Sequence, residues 1–269
     1  MSMKPAILLV AFGTSVPTGR EALINIDKLA RGRFAGTEIR WAYTSRFIRR
    51  KLARQGQHYD SPRMALTRLH EDGYTHVAVQ SLHVAAGAEF HDLARTVRQV
   101  RRGPDALAAI SLGKPLLSRY QDLQRVVAAT LNALPEHEPG DAIILMGHGN
   151  DHGHGEMALA AAAATFSLAN PMAMLATVEG EPAFATVLKK CRQQQPRRAL
   201  LLPFMTVAGD HAANDLAGDD ADSWKCQLRA IGIDCTPVLR GLGENNNVVN
   251  VWMDHLQAAL TELQAGASA

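Results

Sequence analysis

Three polar residues follow three successive apolar runs in the second half of the chain. His148 follows residues 142–146, Glu179 follows 174–178, and His211 lies beyond 199–202. Two neutral imidazoles and one carboxylate suit a divalent transition ion, and three protein ligands leave coordination positions open to another molecule. Each residue alone also has an ordinary reading, because a polar side chain after a strand commonly hydrogen-bonds its own loop. The three converge if their runs are adjacent parallel strands. Gly147 and Gly149 flank His148, and Gly180 follows Glu179, which permits tight turns and close approach of a ligand to the backbone. Asp210 and Asp215 either orient His211 or cap a following helix. His152 and His154, in Asp151-His152-Gly153-His154-Gly155, form either a small metal-binding tract or a solvated loop.

Those runs belong to a longer rhythm. Apolar stretches of strand length occupy residues 6–12, 39–43, 76–81 and 108–112, then 142–146, 174–178, 199–202 and 234–239. Helix-period stretches such as 22–30, 64–71, 93–100 and 123–134 lie between them. Continuous apolar strands alternating with amphipathic helices predict parallel sheets covered on both faces. The fold class is therefore α/β, with two doubly wound parallel-sheet domains. Residues 78–89 and 200–211 look like copies of one design, which sets Glu89 opposite His211. The runs that break at Gly13 and Gly149 likewise set Phe12 opposite His148, so the two domains are expected to be related by internal duplication.

The polar stretch Pro135-Glu136-His137-Glu138-Pro139-Gly140 predicts the boundary. An N-terminal α/β domain then spans 1–135 and a metal-binding domain 136–269, with a final helix at 248–263 that can pack on either. Open α/β sheets bind ligands beyond the carboxyl ends of their strands, so the site is expected in the cleft between the domains.

Composition narrows the function classes. A formal charge of +2 on 269 residues gives no nucleic-acid footprint. Basic residues gather at Arg46, Arg49, Arg50 and Lys51, and again at Arg98, Arg101 and Arg102. These are either solvated helix faces or, for a substrate with several carboxylates, anion sites. Cys191, Cys226 and Cys235 have no metal-type spacing and read as reduced thiols, which points to the cytoplasm. No membrane partner is expected, since no long apolar span or leader is visible; an exported form that had lost its leader would be periplasmic. Gly13-Thr14-Ser15 lacks the lysine and spacing of a phosphate loop, and no nucleophile elbow is present. Asp219-Asp220-Ala221-Asp222 before Ser223-Trp224-Lys225 reads as a helix start rather than a cation site.

A resemblance covers nearly the whole chain. Residues 7–15, Gln80-Ser81-Leu82-His83, Met146-Gly147-His148-Gly149 and Val178-Glu179 are similar to signatures of the anaerobic sirohydrochlorin cobaltochelatases. So are Val207-Ala208-Gly209-Asp210-His211, Asn214-Asp215, Asp222-Ser223-Trp224 and Gly241-Leu242-Gly243-Glu244-Asn245. These are class II tetrapyrrole chelatases, related in fold to ferrochelatase. The resemblance implies ATP-independent insertion of Co²⁺ into sirohydrochlorin, or precorrin-2, for anaerobic cobalamin synthesis, by a homo-oligomer. It implies that His148, Glu179 and His211 hold the ion and that His148 also accepts protons from the ring. His152 falls where a histidine often recurs in the family. Periplasmic members carry a histidine after a Glu-Phe pair that can ligate haem between subunits; Glu89-Phe90-His91 keeps it, which makes His91 the haem candidate.

Expected substrate contacts are Phe12, Thr14, Ser15, Arg46, Leu82, His83, Gly87 and Met205. Arg46, Arg49 and the amides near Thr14, Ser15 and Gly87 would meet carboxylates. Phe12, Leu82, Phe204 and Met205 either lie against the macrocycle or belong to the core. Imidazole titrates near pH 6.5 and metal ligands must be deprotonated, so activity is expected to fall in acid. The competing readings are an iron (Fe²⁺) or nickel (Ni²⁺) chelatase, a non-catalytic metal or tetrapyrrole carrier, and a metal-dependent hydrolase.

Overall fold

The computed structural model describes residues 3–103, 107–149 and 155–267, so His152 and His154 lie outside the described residues. Two four-stranded sheets carry the fold, and every pairing within them is parallel. In the first, β1 (Pro5–Ala11), β2 (Glu38–Tyr43), β3 (His76–Ser81) and β4 (Ala109–Gly113) stand in the order β2-β1-β3-β4. In the second, β5 (Ala142–Gly149), β6 (Ala173–Glu179), β7 (Arg198–Pro203) and β8 (Asp234–Pro237) repeat it as β6-β5-β7-β8. The first four helices are α1 (Arg20–Arg33), α2 (Arg46–Ala53), α3 (Pro62–Glu71) and α4 (Ala88–Arg102). Then come α5 (Tyr120–Asn132), α6 (Glu156–Ala169), α7 (Phe184–Gln194), α8 (Trp224–Arg229) and the long α9 (Asn246–Ala267).

The central strands are apolar throughout because both of their faces are covered. Ile7, Leu8, Leu9 and Val10 of β1 are all completely buried, as are Ile143, Ile144, Leu145 and Met146 of β5. Burying each such side chain stabilises the fold by roughly 1.5–3 kcal/mol relative to exposure. Ala6, Leu8 and Val10 share a core with Leu66, Leu69, Leu93 and Val97 from α3 and α4. In the second unit, Ala142, Ile144 and Met146 share one with Val187 of α7 and Trp224 and Leu228 of α8. Ser45, Ser61 and Ser223 start α2, α3 and α8 by accepting a hydrogen bond from the amide three residues on, which satisfies an otherwise orphaned donor.

The duplication extends to strand register. The offset that sets Phe12 opposite His148 carries Ala6 to Ala142. The offset that sets Glu89 opposite His211 carries Val77 to Ala199. Ala6 pairs with Val77, and Ala142 pairs with Ala199. By the same logic Ile7 pairs with Ile39 where Ile143 pairs with Ala173, which makes Ser45 the counterpart of Glu179.

Two compact units emerge, one from residues 1–15, 26–118 and 249–269, the other from 16–25 and 119–248. Neither is a single stretch of chain. The stretch from Pro135 to Gly140 lies in the connection between α5 and β5. The three cysteines are free thiols, and burial pushes those of Cys191 and Cys235 up to about 11, which keeps them protonated and unreactive at neutral pH. No helix among the described residues is long and apolar enough to cross a membrane.

Candidate active site

Strand β5 stays buried through Gly147 and then turns outward, so His148 is the first exposed residue at its carboxyl end. The turn depends on Gly149, whose φ is +79°. A Cβ there would stand 1.7 Å from the Glu179 carbonyl oxygen and 2.7 Å from the Thr177 Cβ, so no side chain fits. This close approach holds β5 and β6 together to their ends, and Gly149 is the direct register partner of Glu179. The Glu179 backbone is thereby fixed beside the residue that follows His148, while its side chain is exposed.

His148 Nδ1 lies 3.2 Å from the Gly149 carbonyl oxygen. A carbonyl only accepts, so Nδ1 carries the proton and Nε2 keeps its lone pair. His211 opens a π-helical turn, Ala212–Leu216, and its Nδ1 lies 2.6 Å from Asp215 Oδ2. The carboxylate fixes the same tautomer, again leaving Nε2 as the acceptor. Asp215 therefore orients His211, while Asp210 is exposed. The two imidazoles meet edge to face, with ring centroids 4.8 Å apart and planes at 89°. Among the described residues no group of three His, Cys, Asp or Glu side chains is gathered as a formed metal site. The structure thus brings His148 and His211 together and places Glu179 through its backbone only.

The loop that delivers His211 is braced from behind. Met205 and Thr206 carbonyls accept from the amides of Leu242 and Gly243 at 2.8 and 3.0 Å. Gly241 N–H donates to Glu244 Oε1 at 2.7 Å, and a Cβ on Gly241 would press within 2.6 Å of the Thr206 oxygen. The sequence offered 241–245 only as a signature; its work is to shape the 205–208 loop. Short glycine spacing was the one available signal.

The remaining expected residues divide by burial. In the first unit, Phe12 follows β1 and is 47% exposed, and Arg46 is exposed in the first turn of α2. Gly87 precedes the first turn of α4, and its carbonyl accepts from the His91 amide; His91 itself is exposed on that helix. Thr14 and Leu82 are buried, and Ser15 is half-buried. The 1% exposure of Leu82 makes its side chain part of the core. Phe204, in the second unit, is core as well, set edge-on to Phe166 at 5.4 Å, whereas Met205 is half-buried against the second sheet's core.

His83 is half-buried, with its Nε2 shielded from solvent. Its Nδ1 lies 2.9 Å from Ser81 Oγ, and its Nε2 has no hydrogen-bond partner among the described residues. Burial pushes its pKa down to about 4, so it is neutral at physiological pH. Arg49 is spent on structure: its guanidinium donates to the carbonyls of Tyr43 and Thr44. Burial, then neighbouring Arg46, lowers its pKa against the pull of Asp60 and Glu89. Two recesses lie elsewhere, at the amino ends of the strands, one beside Pro5 and His76 and the other beside Asp141 and Arg198. Neither recess holds an imidazole pair.

Comparison with known proteins adds an independent line. The cobalt chelatase (CbiK) family model matches residues 5–261. The chain is 40% identical over 261 residues to the sirohydrochlorin cobaltochelatase CbiKC of Nitratidesulfovibrio vulgaris, covering 97% of this chain and 92% of the relative. It is 35% identical over 267 residues to the sirohydrochlorin cobaltochelatase of Salmonella typhimurium, covering 96% and 97%. Among solved structures, SirB from Bacillus subtilis with Fe³⁺ matches with a TM-score of 0.64 at 15% identity, over 96% of each chain. The cobalt complex of the sirohydrochlorin chelatase SirB from the spizizenii subspecies matches with a TM-score of 0.62 at 14% identity, over 98% of each chain. At such identities the structural likeness establishes the two-sheet α/β fold.

Proposed function

This chain belongs to the cobalt chelatase (CbiK) family, and from that premise we propose that His148, His211 and Glu179 receive the ion and hand it to the tetrapyrrole. The protein is a metal chelatase that inserts Co²⁺ into sirohydrochlorin. Insertion must strip water from the ion and remove two protons from pyrrole nitrogens. The observation that carries the assignment is the imidazole pair, with rings 4.8 Å apart and both Nδ1 atoms engaged by oxygen acceptors. That arrangement supports two Nε2 lone pairs directed to one cation. Glu179, across from Gly149, completes the donor set by rotating its exposed side chain.

Each group then has a distinct task. The carboxylate supplies negative charge that favours a divalent ion, and the imidazoles supply borderline donors that bind cobalt without holding it irreversibly. His148 takes ring protons as the metal enters, for which a neutral imidazole with a free Nε2 is suited. Asp215 and the Gly149 carbonyl set the tautomers that make this work. Chemistry of this kind needs no nucleotide.

A spectroscopic insertion assay tests the reading. Sirohydrochlorin is offered Co²⁺, Fe²⁺ and Ni²⁺ in turn, without ATP, and the metallated product is counted per protein. Multiple turnovers with cobalt are expected, and H148A should abolish them while leaving the fold intact. A single product per protein would identify a carrier, and a preference for iron or nickel would move the physiological role toward sirohaem or a related cofactor. Unchanged turnover in H148A would remove His148 from the mechanism.

A further inference from the structure

We propose that the exposed face of α2, formed by Arg46, Phe47 and Arg50, is the clamp that recognises the carboxylate-bearing edge of the tetrapyrrole. This rests on the chelatase reading above and names the element that selects its substrate.

Packing within the fold does not account for Arg46 and Phe47 on this face. Phe47 is 72% exposed, the most exposed aromatic side chain among the described residues. Arg46 and Arg50 stand one turn apart, followed by Lys51 and Arg54, and all four are exposed. None of the four makes an ion pair among the described residues, and α2 has no acidic residue in its first turn. Like charges four residues apart destabilise a helix by a few tenths of a kcal/mol. Arg50 and Lys51 in the last turn suit the helix dipole, but Arg46 in the first turn opposes it. That charge, beside an aromatic ring shown to water, is explained by an anionic, partly apolar partner.

Position supports the same partner. The connection into α2 is tied to the end of β1, where Thr44 N–H donates to the Ala11 carbonyl and Ser45 N–H to that of Phe12. The half-buried Arg49 guanidinium then locks the Tyr43 and Thr44 carbonyls, and the Ser45 hydroxyl caps the helix. The basic face is therefore held rigidly beside Phe12, at the carboxyl end of its sheet, where ligands of such sheets bind.

The duplication supplies the strongest argument. Ser45 corresponds in register to Glu179, so Ser45-Arg46-Phe47 and Glu179-Gly180-Glu181 are the same connection in two copies. The copy beside the histidine pair is acidic, and the other is basic. A reaction that joins a cation to a polycarboxylate ring has use for both signs on one frame.

The test measures metal-free binding of sirohydrochlorin by absorbance titration, using R46Q/R50Q, F47A and a control, R98Q/R102Q, that removes two exposed charges from α4. R46Q/R50Q should raise the Kd at least about tenfold, about 1.4 kcal/mol, and should flatten the salt dependence. F47A should raise the Kd severalfold, and the control should leave it within about twofold. Binding of Co²⁺, read by equilibrium dialysis, should be the same in all four proteins. A fully esterified sirohydrochlorin should bind wild type and R46Q/R50Q alike.

An unchanged Kd in R46Q/R50Q overturns the proposal, as does an equal loss in the control, an equal loss with the ester, or a wild type that does not bind the free ring. Capture on phosphatidylglycerol vesicles that sirohydrochlorin does not displace would assign the face to a membrane surface instead. Because the titration contains no metal, failure of insertion at His148 and failure of the clamp are read separately.

Discussion

The turn after β1 and the turn after β5 share one backbone but carry different chemistry. Gly13 has φ +94° and Gly149 has φ +79°, each at the same position of the duplicated frame. Beside them stand Phe12 in one copy and His148 in the other. The next strand ends on Ser45 in one and Glu179 in the other, and the third loop carries Glu89 or His211. The offset that pairs those last two also sets His83 opposite Met205, so each unit has an imidazole where the other does not. The difference teaches that register and turn conformation were kept while side chains diverged. The second copy brings two imidazoles together beside an acidic turn, and the first keeps an apolar and basic rim.

The largest effect should come from removing one imidazole of the pair. H148A and H211A should each lower cobalt insertion by at least about a hundredfold, whereas the matched F12A should bind Co²⁺ as the wild type does in dialysis. Loss of Co²⁺ binding in F12A would break the assignment of metal to one copy.

The glycine pair sharpens the comparison at the level of backbone. In G149A the new methyl would meet a fixed carbonyl oxygen at 1.7 Å, while in G13A it would meet the Tyr43 ring at 2.6 Å. Tyr43 is buried and stacked on Tyr59 with ring centroids 4.2 Å apart, but a side chain yields more readily than a carbonyl. Urea unfolding should show a cost of about 3 kcal/mol or more for G149A and a smaller one, about 1–3 kcal/mol, for G13A. The reverse order would mean that the β5–β6 approach is not the tighter one.

Next in size is the carboxylate that orients His211. D215A should weaken Co²⁺ binding by about 10–100-fold without changing the urea midpoint appreciably. Equal affinity would leave Asp215 as a structural partner only.

A smaller effect concerns the half-buried imidazole of the first unit. Burial depresses the folded pKa of His83 to about 4, so between roughly pH 6.5 and 4 the unfolded chain binds a proton that the folded chain does not. Stability from this group is therefore complete above that window and is lost as pH falls through it. About 2 kcal/mol should disappear from about pH 7 to about pH 5, and H83Q should lack that part of the acid limb. An acid limb of identical slope in H83Q would mean that His83 protonates freely in the native state.

The smallest expected effect is none. F12H restores one imidazole to the first copy but neither of its partners, so the count of Co²⁺ bound per chain should stay unchanged. A gain of one ion would show that the two copies differ by a single residue.

Much of this was legible without coordinates. The eight strands stood out because buried parallel strands are continuously apolar, and the acidic run 219–222 before Ser223-Trp224-Lys225 marked the start of α8. Helix α6 did not stand out, since Glu156–Ala169 is largely alanine and has no polar stripe to reveal a period. The cation at Arg49 read as a solvated charge or a carboxylate contact but is committed to two backbone carbonyls. Leu82 and Phe204 are apolar residues at strand ends, and only neighbours decide whether such residues meet a ligand or the core. The sequence itself did not reveal which parts of α1 and α9 group with which sheet.

Donor identity, the duplicated order and the glycines that permit the turns are properties of residue type and spacing, so the chain alone determined them. The approach of His148 to His211, the choice of Asp215 over Asp210 and the exposure of α2 were decided by tertiary structure. Each depends on atoms brought together from distant positions, or on which face of a helix the packing leaves uncovered, and linear spacing carries neither.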